Sequence, residues 1–569
     1  MPSRADDIEI IRDAPVPMRD GVVLRADIYR PTRLLDVTPV LLQRTPYDKS
    51  LYTELGRMYA DAGYIAVIQD VRGQFSSDGV WEPFVHEADD GEDSVTWAAA
   101  LEGSDGQVGM MGTSYQATCA WQAAARRPPA LRALACAFTP LDYYSDWMFP
   151  GGAFSLSFAS TWLLRNVAHS AAARIPDGIR LQSEMDKAYR QVADRWYGHL
   201  PLRDFPPLHP DRDDVAPYFF DWIEKHPTRD AYWQEISLRD RIADVDIPAL
   251  NIAGWYDVFV RAGVEAQRRL PADSGSALIV GPWAHNQWGP LLGEIDYGPD
   301  AAFSFPRAVI GWMDRWLKSA VVEHEPAPVQ YFSMGDLTWR ESATWPPAAA
   351  HPTALHLSSS GSAAADSTDG MLSIALPDPG SDSFVYDPAD PVPSIGGQGC
   401  CYGPQSPIGP RDQLAIELRD DVLLYSSAPV QEPLEVAGDV EVSLYASTTA
   451  DDTDFTAKLV DVHPDGTAIN LAEGIVRGRF REGVDTERPL APGAVQHYRI
   501  GLQPTANVFL RGHRIRVEIS SSNFPMYDRN PNTGAPFGQN DELVVATQTV
   551  HHGGEHPSAL ILPVIARTR

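Results

Sequence analysis

The chain has 569 residues, of which 44% are hydrophobic and 21% are charged, and its formal net charge at pH 7 is -30. This length exceeds one ordinary hydrophobic core, so we expect about two to four structural units. The negative charge excludes general nucleic-acid binding, which needs clustered Lys and Arg for the phosphates. No apolar run approaches the roughly 18–20 residues that a membrane-spanning helix needs.

The beginning of the sequence, MPSRADDIEIIRD, is acidic and lacks the apolar segment of a signal peptide. We therefore expect a cytoplasmic protein without a membrane partner. The four cysteines, at positions 119, 136, 400 and 401, are too few and too scattered for a disulfide framework in a chain of this size. They form no CxxC pair, so a cysteine zinc site is not expected.

Short apolar runs alternate with helical stretches in residues 1–140, which we interpret as the first part of an α/β domain. Residues 40–44 and 64–70 are typical of buried strands, because they are short, largely apolar and bounded by turn residues. The pattern predicts a helix over 88–102, a strand over 108–112 and a helix over 115–127 that Pro128 ends. Such alternation favours a mostly parallel sheet covered on both faces.

The character of the chain changes twice further on. Residues 141–236 are rich in aromatic residues and helix formers, which predicts a helical insertion. The strand–helix pattern resumes in residues 237–348, with apolar strands in 247–257 and 277–285. Residues 349–569 contain alternating segments that predict a closing two-sheet β domain.

Ser114 is the candidate nucleophile. It lies in VGMMGTSYQAT, where a predicted strand runs into Gly112 and a predicted helix begins directly after the serine. A strand–turn–helix elbow presents a serine hydroxyl at the start of a helix, and the small residues Gly112 and Ala117 allow the close packing that the turn requires. The pattern G-x-S-x-G is incomplete, because Ala117 replaces the last glycine.

Asp257 and His285 are the candidate acid and base. Each follows an apolar strand, at a position where the strand gives way to a loop. A serine hydroxyl needs a base to take its proton and a third group to hold that base. The order Ser114, Asp257, His285 along the chain is that of α/β-hydrolases, which predicts a serine hydrolase acting on an ester or amide acyl bond.

The sequence also offers two oxyanion donors. The backbone N–H of Tyr115 qualifies by its position after the nucleophile. The hydroxyl of Tyr47, just past the predicted strand at residues 40–44, stays protonated at neutral pH and could be the second donor. From its position alone, however, Tyr47 is more simply interpreted as a residue packed at the rim of the sheet.

Several motifs, taken together, resemble the cocaine esterase family, which is similar to the α-amino acid ester hydrolases and the Xaa-Pro dipeptidyl-peptidases. The N-terminal motifs are RTPYDK, QDVRGQFSSDG, VGMMGTSY, AGWYDVF and GPWAH. The C-terminal ones are YDPADPVPSIGG, DTDFTAKLVDVHPDG and SSNFPMYDRNPNTG. The resemblance therefore extends over nearly the whole chain.

The resemblance implies an α/β-hydrolase domain with an inserted helical cap and a C-terminal jelly roll. It implies the triad Ser114, Asp257 and His285, and it makes Tyr47 an oxyanion donor. The pocket residues that it implies are Trp147, Trp162 and Phe259, and Tyr402 is a further predicted pocket residue because it stands where the family's substrate-touching stretch falls. No cofactor or metal is expected. The segment HHGGEH is rich in histidine, but the family has a similar C-terminal segment that binds no metal.

Two departures from the family pattern concern the pocket. Gln116 and Ala117 replace a leucine and a glycine behind the nucleophile. The segment GGQGCCYG, with Cys400, Cys401 and Tyr402, replaces an apolar stretch that touches substrate. We therefore expect a small-molecule ester or amide as substrate, without assuming cocaine, and we leave open a homo-oligomer.

Alternatives of two classes stay open. Among enzymes, an Xaa-Pro dipeptidyl-peptidase or other aminopeptidase-like enzyme, or an α-amino acid ester hydrolase, needs acidic side chains for a substrate ammonium, and Asp142, Asp146 and Glu184 are candidates. An acylase is a further alternative among enzymes. The other class is a non-catalytic binding protein with a carbohydrate-binding jelly roll. The complete set of serine, aspartate, histidine and tyrosine favours the enzyme.

Overall fold

Two large β-sheets, one in each half of the chain, form the framework of the protein. The computed structural model describes residues 8–32, 37–320, 327–364, 368–401 and 408–566. The first sheet has ten strands and the second has eleven. A separate two-stranded ribbon lies in sequence between the eighth strand of the first sheet and the last two strands of that sheet.

The first sheet is mixed, with a parallel centre. Its ten strands pair in the order β1-β2-β4-β3-β5-β6-β7-β8-β11-β12, and the strands from β4 to β11 in this order run parallel. These strands and the ribbon β9–β10 are β1 Ile8–Pro17, β2 Val23–Pro31, β3 Thr38–Thr45, β4 Ile65–Asp70, β5 Ser104–Thr113, β6 Leu131–Ala137, β7 Ala249–Gly254, β8 Ala277–Gly281, β9 Leu291–Leu292, β10 Ile295–Asp296, β11 Val329–Ser333 and β12 Thr338–Ser342.

Helices cover both faces of this sheet, as the sequence predicts. The α-helices are α1 Thr53–Asp61, α2 Glu87–Ala99, α3 Tyr115–Ala125, α4 Leu156–Trp162, α5 Ala168–Ala172, α6 Gly178–Arg190, α7 Pro217–Glu224, α8 Ala231–Ile236, α9 Val260–Arg269, α10 Phe305–Leu317 and α11 Leu414–Glu417. Successive residues of β3 enter opposite cores: Val40 and Leu42 pack with α2, α3 and α9, whereas Leu41 packs with α1 and α10. Because parallel strands buried on both faces end at one edge, β5, β7 and β8 deliver the residues that follow them to the same side.

Residues 138–248, all of them described, form helices α4 to α8 and connecting loops without a strand. Their aromatic side chains are buried in the same core as α2 and α3. This segment includes the helix-rich stretch that the sequence predicts. The boundaries of the four predicted segments, 1–140, 141–236, 237–348 and 349–569, stay predictions.

The second sheet confirms a β-rich C-terminal part. Its strands are β13 Ala350–Ser358, β14 Met371–Ser373, β15 Gly380–Tyr386, β16 Leu423–Ser426, β17 Leu434–Thr448, β18 Asp454–Val462, β19 Ala468–Arg477, β20 Gln496–Phe509, β21 Arg514–Ser520, β22 Ala546–His552 and β23 Ala559–Ile565. They pair in the order β15-β22-β17-β23-β13-β14-β16-β21-β18-β19, and β20 pairs with β17. Burial alternates along β17, as expected for a strand with one face towards a core.

The predicted strands and helices of the α/β part correspond to observed ones, although α2 ends three residues early, at Ala99, β5 begins four residues early, at Ser104, and β8 ends four residues early, at Gly281. No helix in the described part of the chain is long and apolar enough to cross a membrane.

Candidate active site

The backbone at Ser114 makes a sharp turn between β5 and α3. Ser114 has φ 58° and ψ -129°, a left-handed conformation that a non-glycine residue rarely adopts. Its N–H donates to the carbonyl of Ala137 at 2.9 Å, and its own carbonyl accepts from Thr118 at 3.0 Å. Position 112 requires glycine, because a Cβ atom there would lie 2.4 Å from Cβ of Gln116. This elbow holds Ser114 at the start of α3 and leaves it 6% exposed.

Asp257 and His285 form a hydrogen-bonded pair at the same edge of the sheet. Nδ1 of His285 lies 2.6 Å from Oδ2 of Asp257, while Oδ1 of Asp257 accepts from the backbone N–H of Phe259 at 2.8 Å. Asp257 is fully buried and His285 is 9% exposed. The carboxylate therefore fixes the imidazole with Nδ1 engaged, and Nε2 is the nitrogen left for proton transfer.

The hydroxyl of Tyr47 lies beside Ser114. It accepts a hydrogen bond from the indole N–H of Trp162 at 3.1 Å, and it shares a hydrogen bond with Ser114. Burial raises the pKa of Tyr47 well above its usual range, against the opposing effect of these hydrogen bonds. The phenol therefore stays protonated and keeps a proton to donate next to the nucleophile.

The two polar groups of Tyr115 have different surroundings. Its phenol points behind the elbow, where it donates to Oε1 of Glu87 at 3.0 Å and accepts from the backbone N–H of Phe84 at 2.8 Å. Its backbone N–H belongs to the first residue of α3, and a helix leaves the N–H groups of its first turn without intrahelical acceptors. The backbone of Tyr115, rather than its side chain, is thus available at this edge.

An aromatic wall surrounds the edge, and it contains three of the four predicted pocket residues. The ring centroid of Trp147 lies 4.9 Å from that of Trp162 and 5.0 Å from that of Phe259. The ring of Phe259 in turn lies 5.8 Å from the ring of His285. The structure therefore brings Trp147, Trp162 and Phe259 together beside the histidine, whereas the predicted Tyr402 lies outside the described residues.

Sequence reasoning missed further members of this wall. Phe138, directly after β6, has its ring 5.4 Å from that of His285, and Phe158 stacks on Trp147 at 5.1 Å. The position of Phe138 at the end of a strand was a usable signal, since Ser114, Asp257 and His285 also follow strand ends. Phe158 carries no such signal, because it is one of many aromatic residues in a helix-rich segment.

The second missed feature is a disulfide between the adjacent residues Cys400 and Cys401. The preceding residues attach it to the loop that carries Asp257: the N–H of Gly399 donates to the carbonyl of Tyr256 at 3.1 Å, and Nε2 of Gln398 donates to the carbonyl of Trp255 at 2.9 Å. The two sulfur atoms and a ring nitrogen of His285 all lie within 4.8 Å of one another. The C-terminal half of the chain therefore contributes directly to the surroundings of the histidine.

The chain matches two family models that together cover most of its length. Residues 20–287 match the X-Pro dipeptidyl-peptidase S15 family, and residues 321–561 match the X-Pro dipeptidyl-peptidase C-terminal non-catalytic domain. Ser114, Asp257 and His285 all fall within the first match.

Three proteins are similar to this chain over nearly its full length. A cocaine esterase from Rhodococcus sp. is 38% identical over 97% of this chain and 98% of its own length. An aminopeptidase from a marine sediment archaeon of the Thaumarchaeota has a similar structure, with a TM-score of 0.82 and 26% identity over 100% of this chain and 98% of that chain. A solved α-amino acid ester hydrolase has a TM-score of 0.81 and 26% identity over 99% of this chain and 98% of that chain.

The fold and the site define an α/β-hydrolase-like serine ester hydrolase of the S15 type. Within that class, the chain belongs to the cocaine esterase family.

Proposed function

We propose that Ser114, His285 and Asp257 are the catalytic triad of this hydrolase. The observation that carries the proposal is the 2.6 Å bond between Nδ1 of His285 and Oδ2 of Asp257, at the sheet edge where the backbone turns at Ser114. In this arrangement Nε2 of His285 takes the proton of Ser114, and the serine oxygen attacks the substrate carbonyl. Asp257 holds the imidazole tautomer and stabilises the cation that forms.

The oxyanion hole consists of the backbone N–H of Tyr115 and the hydroxyl of Tyr47. Two donors aimed at the developing negative charge stabilise the tetrahedral intermediate more than the substrate. The hydrogen bond from Trp162 occupies a lone pair of the Tyr47 oxygen and leaves its proton free to point at the substrate. The alcohol then leaves with the proton held by His285, and water hydrolyses the acyl-enzyme.

Residues 141–236 act as a helical cap, and the C-terminal β part has a jelly-roll arrangement. Trp147 and Trp162 of the cap cover the catalytic edge together with Phe259, which supports an apolar acyl pocket lined by these rings. Tyr402, which follows the cysteine pair in sequence, lies outside the described residues and stays a predicted member of the pocket. Such a pocket favours esters with an aromatic or aliphatic acyl group, since aromatic walls gain most from burying apolar surface.

The acidic candidates for binding a substrate ammonium all have arginine partners. Asp142 accepts from Arg229 at 2.6 Å, and Asp146 pairs with Arg239 at 3.1 Å. Burial opposes ionisation of Asp142, but Arg239, the N–H of Ser145 and Arg229 outweigh it and lower its pKa. Asp142 is therefore an ionised carboxylate whose charge is already balanced by arginine.

The third acidic candidate is a surface residue. Glu184, on α6, pairs with Arg180 at 2.7 Å, and its side chain is 44% exposed. Because all three acids already have arginine partners, their pairing supports a substrate whose acyl group is neutral. The similarity to an aminopeptidase and to an α-amino acid ester hydrolase keeps a free α-amine as the competing candidate.

A fluorophosphonate probe tests the triad. We expect one labelled residue, Ser114, in the wild type, and no label in Ser114→Ala, whose kcat on a chromogenic ester should fall at least about 10⁴-fold. Ser443→Ala, which changes a serine on the second sheet, is the matched control and should keep both label and activity. Labelling that persists in Ser114→Ala would overturn the assignment.

A pair of otherwise identical esters, one with a free α-amine and one with that amine acylated, tests the substrate class. We expect a higher kcat/KM for the acylated ester, because the buried acids already have arginine partners and an ammonium in an apolar pocket is costly. Preference for the free amine would favour the aminopeptidase-like reading instead.

A further inference from the structure

The pair Cys400–Cys401 lies next to His285 and places two sulfur atoms, which can bind a metal ion, beside the imidazole. Cys400 is buried and Cys401 is partly buried, and both sulfur atoms lie within 4.8 Å of a ring nitrogen of His285. The other two cysteines, Cys119 and Cys136, are buried and unpaired, and neither belongs to a group of potential metal ligands among the described residues. The reactive sulfur chemistry of the described chain is thus concentrated at the active site.

We propose that Cys400 and Cys401, once reduced to thiols, bind one soft divalent cation such as Zn²⁺ or Cd²⁺ together with His285, and that this ion switches the hydrolase off. Two thiolates and an imidazole are ligands that these cations prefer. In a tetrahedral zinc site the ligand atoms are separated by about 3.5–3.8 Å, given Zn–S and Zn–N bonds of about 2.3 and 2.0 Å. The two sulfur atoms and the ring nitrogen lie within 4.8 Å of one another, so a small movement of these side chains after reduction gives that spacing.

The nitrogen that the ion would occupy follows from the hydrogen bonding of His285. Nδ1 is engaged by Asp257 at 2.6 Å, so Nε2 is the nitrogen available to a metal. A carboxylate that holds the far nitrogen of a histidine is also the usual support of a metal-ligating histidine, because it fixes the ring and raises its basicity. Nε2 is the atom that has to take the proton of Ser114, so a metal on Nε2 removes the general base. This inhibition step rests on the proposed triad, whereas the binding step rests on the donor geometry alone.

The redox step is a thiol–disulfide exchange. Two molecules of a small thiol reduce the Cys400–Cys401 bond and leave as their own disulfide, which gives two protein thiols. The cation then displaces the two thiol protons to solvent and binds as a thiolate complex, so the apparent affinity should rise with pH. In the reducing cytoplasm that the sequence predicts, the dithiol is the prevailing form. The disulfide would protect the hydrolase from metal, and the dithiol would expose it.

Cadmium titration of the oxidised and the reduced full-length protein tests the proposal. Thiolate-to-cadmium absorbance reports binding, and ester hydrolysis is measured in parallel. The reductant is a phosphine, which takes its oxygen from water and is removed by gel filtration before cadmium is added. Thiol counting verifies that reduction adds two thiols. We expect the absorbance band only in the reduced protein, saturating at one Cd²⁺ per chain, with activity lost over the same concentration range and restored by a chelator.

Variants separate the proposed ligands from other sulfur atoms. Cys400→Ser and the double variant C400A/C401A should lose the band, and cadmium should not lower the rate of ester hydrolysis that each variant has without it, whereas Cys136→Ala should behave as the wild type. His285→Asn should weaken cadmium binding at least about tenfold by absorbance, a readout that does not depend on activity.

Equal bands in both redox states, or a band that remains in C400A/C401A, would overturn the proposal, and so would full activity at saturating cadmium. If the protein instead bound cadmium as expected but had no ester hydrolase activity in either state, the binding site would stand and the proposed triad would fall.

Discussion

The loops that follow β5, β7 and β8 and the segment Gly397–Cys401 meet at one active site, but they are held there in different ways. Each loop continues a buried parallel strand, so the sheet fixes the starting point of Ser114, Asp257 and His285. The segment comes from the other half of the chain and is held by contacts with β7's loop and with β19, among them the bond from Gln398 to Trp255. The three candidate catalytic residues therefore follow strands of a buried sheet, whereas the wall beside them is held by loop contacts that can change without altering that sheet.

After Ser114→Ala, the largest effect among variants of the sheet edge should belong to Asp257→Asn. The amide keeps the shape but cannot hold the same imidazole tautomer or stabilise its cation, so kcat should fall about 10³–10⁴-fold with KM little changed. Steady-state kinetics on a chromogenic ester measures it. Asp240→Asn, which changes an acid that is 79% exposed, is the control. A loss below tenfold would mean that Asp257 does not orient the proposed base, His285.

Tyr47→Phe should have the next largest effect. It removes one oxyanion donor while preserving the ring, and kcat should fall about 100- to 1000-fold. Tyr59→Phe is the control, because Tyr59 is a fully buried tyrosine whose hydroxyl has no hydrogen-bond partner in the described structure. Full kcat in Tyr47→Phe would leave Tyr47 with a packing role only.

Gln398→Ala should have the smallest effect on kcat, and its main effect should be on substrate binding at the pocket wall. It removes bonds of 2.9 Å to the carbonyl of Trp255 and 3.0 Å to the carbonyl of Leu471, and should lower the free energy of unfolding by about 1–3 kcal/mol. We expect a changed KM and acyl preference with kcat within about tenfold, measured over a series of esters with varied acyl chains. Gln330→Ala, on the surface of β11, is the control. A collapse of kcat with unchanged KM would show that the segment supports the chemistry itself.

The amino-acid sequence predicted the α/β framework because its signals are local. The buried strands β3, β4, β7 and β8 each contain a short, largely apolar run, and the turn at Ser114 follows from a strand, a glycine and a helix start in close succession. The order of Ser114, Asp257 and His285 and their positions after strands indicated the candidate site for the same reason. The pocket residues Trp147, Trp162 and Phe259 came from resemblance, since nothing in their local pattern distinguishes a pocket from a core.

By itself, then, the sequence determined which residues form strands, which strands end in polar side chains and which class of reaction those side chains serve. Only the tertiary structure decided what surrounds them: the arginine partners of Asp142 and Asp146, the ring of Phe138 against His285, and the cysteine pair beside it. The physical reason is separation along the chain. His285 and Cys400 meet because two sheets pack together, and such contacts leave no periodicity or spacing in the sequence from which they could be predicted.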